Sequence, residues 1–310
     1  MCRLPQRAGK RSANQIELVE DDDAYGEIIE FSAKPKIRVG APVSSKPCRL
    51  LLIGDAHDHP GLPNKRRAEL IGHHAVAFGA DWAVSVGDLS DANSACHHVR
   101  NDTYRARKKP SFAQDLDSFE QFMEAMTDPI SRSGMRIRLH ETLGNHENWW
   151  WTFEDQHPEL QGLVTGRLEG ILRGHGWTWT PFGEWFFVGG VGITHVPLNI
   201  MGKPFGGQNV EKTVAQWATF DVIFGHTHRH AEIMVPKLGV RNYVKVLNVG
   251  SAMPEGYVGD YARNTPNAYS YGVVECVVFD GHIQSSRFVT MRELEAMHAS
   301  KLDHRMARAA

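Results

Sequence analysis

The 310-residue chain is predicted to be an α/β protein, a four-layer αββα sandwich of two packed mixed β-sheets flanked by helices. Two observations predict it. Short apolar runs, each ending in a polar motif, alternate with stretches of helical periodicity, as in layered α/β folds. Further strand patterns crowd the last third, and two packed sheets with helices outside accommodate their number. With 42% hydrophobic residues the chain can bury a sizeable core.

Taken in order, residues 1–47 are polar, carry the acidic run Glu20 to Asp23, and include Pro35, Pro42 and Pro47. Such a composition struggles to bury a core, so a flexible or loosely docked tail is expected. The main domain is expected over 48–290, followed by a C-terminal helix over 291–310. Its strands are read at Arg49 to Ile53, Trp82 to Val86, Met135 to Leu143, Phe186 to Thr194 and Phe220 to Phe224. Helical periodicity appears at Phe112, Leu116, Phe119, Met123 and Met126, again at Leu160, Val164, Leu168 and Ile171, and over Lys65 to Phe78. Strands are also read at Tyr243 to Val249 and Tyr271 to Phe279, the latter turned by Asp280-Gly281 into Ile283 to Val289.

The 34 basic and 36 acidic residues leave a formal charge of −2, which gives no global electrostatic reason for a nucleic-acid or anionic-membrane partner. Cys2, Cys48, Cys96 and Cys276 are scattered without CxxC spacing, the pattern of a reduced, intracellular protein. No stretch approaches the ~20 apolar residues that span a bilayer, and the N-terminus lacks a signal-peptide pattern. A soluble, cytoplasmic protein without a membrane partner is the expectation.

Each strand read in the first two thirds ends in a motif: GDAHD (54–58), GDLSD (87–91), GNHE (144–147), THVP (194–197) and GHTH (225–228). Ligand sites in open α/β sheets collect at the carboxyl ends of strands. The set supplies the mixed oxygen and imidazole ligands of a two-metal hydrolytic site. Asp55 and His57, two apart in extended chain, point the same way and can share one ion. Asp88 suits a bridging position, Asn145 offers a neutral carbonyl oxygen, and His195, His226 and His228 offer imidazoles. His146, beside a presumed ligand and facing the other way, fits a proton donor to a leaving group, with Asp91 fixing its tautomer. The alternatives are that His146 is itself a ligand and Asp91 caps a turn.

This ordered set resembles the calcineurin-like metallophosphoesterase superfamily, whose signature runs DxH, GDxxD, GNH[DE], a later His and GHxH. The resemblance spans Asp55 to His228. It implies one metal held by Asp55, His57, Asp88 and His228, a second by Asp88, Asn145, His195 and His226, and a catalytic His146 oriented by Asp91. Asn248-Val-Gly-Ser251, followed by the Tyr269 to Glu275 strand, is similar to the closing segment of the small bacterial phosphodiesterase branch, with Val249 where proline is usual. GDLSDAN lacks the Arg-Gly of the protein Ser/Thr phosphatase branch.

The expected activity is that of a metal-dependent phosphoric ester hydrolase, a phosphodiesterase before a monoesterase, in which a metal-bridging hydroxide attacks phosphorus and His146 is the general acid. Two divalent ions are implied, with Mn favoured and Fe, Zn or Ni compatible with the same donors. The alternatives are a nuclease acting on DNA or RNA and a non-catalytic scaffold, although no ligand residue is missing.

The 52-residue insertion from Ala92 to Leu143 holds His97, His98, Arg100, Arg105, Arg107, Lys108 and Lys109 around Tyr104, read as a solvated loop or a phosphate-steering patch. Trp149, Trp150, Trp151 and Phe153 either pack against the Trp177, Trp179, Phe182 and Trp185 segment or form a stacking platform. His59, Arg229 and His230 could touch substrate phosphate or support ligands. His73 and His74 are read as structural.

Overall fold

The computed structural model of the chain describes residues 17–20, 27–30, 37–41, 46–97, 108–239, 242–259 and 268–309. One sheet has six strands in the order β14-β13-β4-β5-β6-β7. Its parallel strands are β4 (Cys48–Ile53), β5 (Trp82–Ser85), β6 (Arg138–Thr142) and β7 (Trp177–Thr180), extended antiparallel by β13 (Gly272–Phe279) and β14 (His282–Thr290). The second sheet runs β8 (Trp185–Val188), β9 (Val191–Ile193), β10 (Val222–Phe224), β12 (Tyr243–Val249), β11 (His230–Pro236). At its β8 edge lie β3 (Ile37–Ala41), β2 (Glu27–Glu30) and β1 (Glu17–Glu20).

Side-chain alternation builds the layers. Leu50 and Leu52 of β4, with Trp82 and Val84 of β5, pack against Phe186, Val188, Ile193, Ile223 and Leu247 of the other sheet. Leu51 and Ile53 point the opposite way, into a core shared with α1 (Arg66–Phe78), α2 (Phe112–Ser133), α3 (Asn145–Gln156) and α4 (Thr165–Gly174). On the far face of the second sheet, Val222, Phe224, Val244 and Val246 receive Val210, Val214 and Ala215 of α5 (Val210–Trp217). A final helix, α6 (Met291–Ala309), brings Leu294 onto the first helical layer. The architecture is therefore the expected layered α/β sandwich, and each fully buried Leu, Ile or Val in it contributes about 1.5–3 kcal/mol.

The helical stripes face the core: Leu116, Phe119, Met123 and Met126 of α2, and Leu168 and Ile171 of α4, are buried. Helix α2 starts at a capping box between Ser111 and Gln114. The Asp280-Gly281 turn has φ of 53° and 79°, as a two-residue hairpin requires. Among the described residues, no helix is long and apolar enough to cross a membrane, and Cys48, Cys96 and Cys276 are free thiols.

Three expectations change. The run Phe186 to Thr194 is two strands, because Gly189 and Gly190, at φ 58° and 85°, turn β8 back onto β9. The run Met135 to Leu143 yields a strand only from Arg138, since Gly134, at φ 70°, ends α2 just before it. The stretch expected as a flexible or loosely docked tail contains three strands, and β3 pairs in parallel with β8. An edge strand offers unpaired N–H and C=O groups, and a polar segment can take them up without burying a core of its own.

Candidate metal centre

All nine residues singled out by the motifs converge where the two sheets meet. The first sheet brings Asp55, Asp88 and Asn145 from the carboxyl ends of β4, β5 and β6, and the second brings His195 and His226 from the ends of β9 and β10. Asp55 and Asp88 are fully or almost fully buried. Asp55, His57 and His228 form one group whose donor atoms lie within 4.8 Å of one another, and Asp88, His195 and His226 form another.

In the first group His228 Nε2 lies 3.1 Å from Asp55 Oδ2 and 3.0 Å from His57 Nε2. Asp88 Oδ2 lies 3.9 Å from His57 Nε2 and 3.3 Å from His195 Nε2, so this carboxylate stands between the groups. In the second group His195 Nε2 lies 2.9 Å from Asn145 Oδ1 and 3.2 Å from His226 Nδ1.

The hydrogen bonds behind the ligands set their tautomers. His195 Nδ1–H donates to the Val86 carbonyl at 2.8 Å, and His57 Nδ1–H donates to Asp91 Oδ1 at 3.1 Å. Each arrangement turns the Nε2 lone pair into the centre, as a carboxylate- or carbonyl-backed metal histidine requires. His57 Nε2 and His228 Nε2, 3.0 Å apart, both face the same point, close enough to share a hydrogen bond or an ion. Ligands about 2.1 Å from a shared ion stand roughly 3.0–3.4 Å apart, the separation of His228 from Asp55 and His57 and of His195 from Asp88 and His226, while His57 stands 4.0 Å from Asp55 and 3.9 Å from Asp88. The donor set thus fits a metal site.

Electrostatics point the same way. Burial would raise the Asp88 carboxyl, yet His195 and His146 hold it well below the ordinary carboxylate range. Burial would lower His195 and His146, but Asp88 lifts them to about 9 and about 10, the latter with help from Asp91. His226, by contrast, is pushed to about 4 by burial and by His195. In the protein alone, protonated His195 and His146 balance the Asp88 carboxylate.

The backbone bends sharply to do this. His57, Asp88, His226 and His228 have φ of 44°, 52°, 69° and 58°, in the left-handed region that costs a non-glycine residue free energy. Asp55 and His57 therefore meet through a turn and not through the extended spacing expected from sequence. A β-carbon on Gly144 would collide with Asp88, and one on Gly225 with Asp55, so both positions need glycine.

His146 does not simply face away. Its Nδ1–H donates to the Asp91 carbonyl at 2.8 Å and lies 3.2 Å from Asp91 Oδ1, while Nε2 faces the centre 4.0 Å from Asp88 Oδ2. It also groups with His57 and Asp88 at ligand distance, and its ring packs on Trp149 with centroids 4.0 Å apart.

Sequence reasoning passed over several supports. Glu147 accepts from the backbone N–H groups of Asp88, Ser90 and Gly144, tying two motifs together. Asp58 accepts from Lys65, Arg67 and Ser118. Ala252 N–H donates to the Asp55 carbonyl, which seats the Asn248–Ser251 segment against the first motif. The acidic last residues of GDAHD and GNHE were the available signals for Asp58 and Glu147.

Other candidates divide. Arg229 is paired to Glu211, and His230 Nδ1 meets the Asn248 carbonyl. His73 and His74 lie on α1, with His74 Nδ1 3.1 Å from His298 Nε2. Trp149 and Trp150 belong to the same core as Trp177, with Trp151 and Trp179 packed against it. Of the basic insertion, His98, Arg100, Tyr104, Arg105 and Arg107 lie outside the described residues.

No protein-family model matches the chain, and no curated protein matches it.

Proposed function

We propose that the chain is a dinuclear metal-dependent phosphoesterase, acting on phosphodiesters before monoesters, of the calcineurin-like metallophosphoesterase type. The observation that carries this reading is the convergence of seven ligand-type side chains into two neighbouring groups with Asp88 between them. Asp55, His57, Asp88 and His228 would hold one ion, and Asp88, Asn145, His195 and His226 the other. The nitrogen and oxygen donors suit Mn, and equally Fe, Zn or Ni. When bound, a pair of such ions polarises a phosphoryl group and brings the pKa of water to about 7.

The chain's own residues do the rest. Asp91 holds the proton of His146 on Nδ1 through its backbone carbonyl, which aims Nε2 at the centre. A protonated Nε2 there is positioned to give its proton to a departing alkoxide. Glu147 fixes the Asp88 and Gly144 backbones, so the bridging carboxylate and the helix bearing Asn145 and His146 keep one relative geometry.

The test is hydrolysis of bis-p-nitrophenyl phosphate beside p-nitrophenyl phosphate by chelated protein refilled with Mn²⁺. Metal-dependent release, faster from the diester and abolished in Asp88→Asn, is expected. Faster release from the monoester would replace the diester assignment, and no release from either would overturn the hydrolase reading.

A further inference from the structure

Beside the metal centre, on its Asn93 side, is a cavity of about 530 Å³, within the size range of small-ligand sites. Its wall includes His59, Gly61, Asn93, Lys108, Lys109 and Gln114, and none of its described lining residues is Asp or Glu. We propose that this pocket binds a second phosphate of the substrate, so that the preferred substrate is a phosphodiester with another phosphate close to the scissile one. The inference rests on the phosphoesterase reading for its position next to the reacting group, and on the pocket's own chemistry for its ligand.

Cavity and centre share a wall. Asn93 Nδ2 donates to Asp91 Oδ2, while Asp91 Oδ1 accepts from His57 Nδ1. His59 follows the ligand His57 by two residues, and its ring is fixed on both sides, with Gly61 N–H donating to Nδ1 and Nε2 3.1 Å from the Tyr257 hydroxyl. Through Asn93 and Asp91, a ligand in the cavity is therefore separated from His57 by two side chains.

The charge is suited to an anion. The described lining carries no carboxylate that would repel a phosphate. Lys108 and Lys109 supply two ammonium groups. Lys109 spends one of its three donors on the Cys96 carbonyl, which anchors its head at the wall. Both lysines, Asn93 and Gln114 come from the insertion between the second and third motifs, so the device is separable from the ligand-bearing strand ends.

The test uses the metal-loaded full chain and two p-nitrophenyl esters of thymidine 5′-phosphate, one with a free 3′-hydroxyl and one with a 3′-phosphate. Two variants read the pocket: the double substitution Lys108→Gln, Lys109→Gln, and Gln114→Glu, which preserves the capping box while adding a negative charge. In the wild type the 3′-phosphate is expected to lower KM about fivefold to tenfold with kcat little changed, an advantage that shrinks as salt rises. The ratio of KM values between the two esters should fall to about one in both variants. An equal KM for the two esters in the wild type, or a ratio that survives in both variants, overturns the proposal. If neither ester is hydrolysed, the phosphoesterase reading fails separately. The pocket is then read by calorimetry, where thymidine 3′,5′-bisphosphate should bind more tightly than thymidine 5′-monophosphate and lose that preference in the variants; equal binding overturns it.

Discussion

Asp91 touches two histidines at once, His57 through Oδ1 and His146 through both its carboxylate and its backbone carbonyl. The sequence identifies it as a partner of His146 alone, because spacing cannot show that one carboxylate reaches a second motif. The double contact makes a distinct prediction. Asp91→Asn should lower turnover about 10–100-fold and also weaken metal retention, since it disturbs the backing of a ligand. His146→Ala should lower turnover while leaving metal content, measured by atomic emission, near that of the wild type. Loss of metal from His146→Ala would make that residue a ligand, the alternative its grouping with His57 and Asp88 allows.

At the scale of elements, the insertion is built around helix α2, whose first turn is tied to the short turn at Asn93–Ala95 by Asp115 Oδ2 accepting from the Ser94 N–H. The other oxygen, Oδ1, is buried with no hydrogen-bond partner among the described residues. Burial raises the Asp115 carboxyl to about 6, against the Ser94 hydrogen bond, which favours the anion. Because the folded value lies above the unfolded one, the protonated form stabilises the fold at low pH. That contribution is lost as pH rises through about 6, leaving a cost on the order of 3 kcal/mol for the buried anion. Asp115→Asn should therefore raise Tm at about pH 8 and leave it close to the wild type at about pH 4; an equal shift at both pH values would remove burial of charge as the cause. Periodicity made α2 legible, since Leu116, Phe119, Met123 and Met126 are all buried. It could not separate β8 from β9, because the turn between them depends on two glycines inside an apolar run.

At the scale of the molecule, the centre joins the two sheets. His226 N–H donates to Asp55, and His195 Nδ1–H to the Val86 carbonyl, so each sheet holds a group of the other. Bound metal would add to these links and stabilise only the folded state. Chelation should lower Tm by about 5–10 °C, taking about 2.7 kcal/mol at a hundredfold excess over Kd and about 2–4 °C per kcal/mol for a domain of this size. Refilling with Mn²⁺ should restore it, and a Tm indifferent to chelator would argue against a structural contribution from metal. The sequence by itself determined the layered α/β class and the identity of the candidate ligands, because alternation and strand-end motifs are local patterns that any layered packing must respect. Only the tertiary structure decided that β1, β2 and β3 lengthen one sheet, that Glu147 clamps two motifs, and that Lys108 and Lys109 line one cavity with His59 and Asn93. Those contacts join residues far apart in the chain, and chain separation carries no signal of which hydrogen bonds and charges meet once the core has formed.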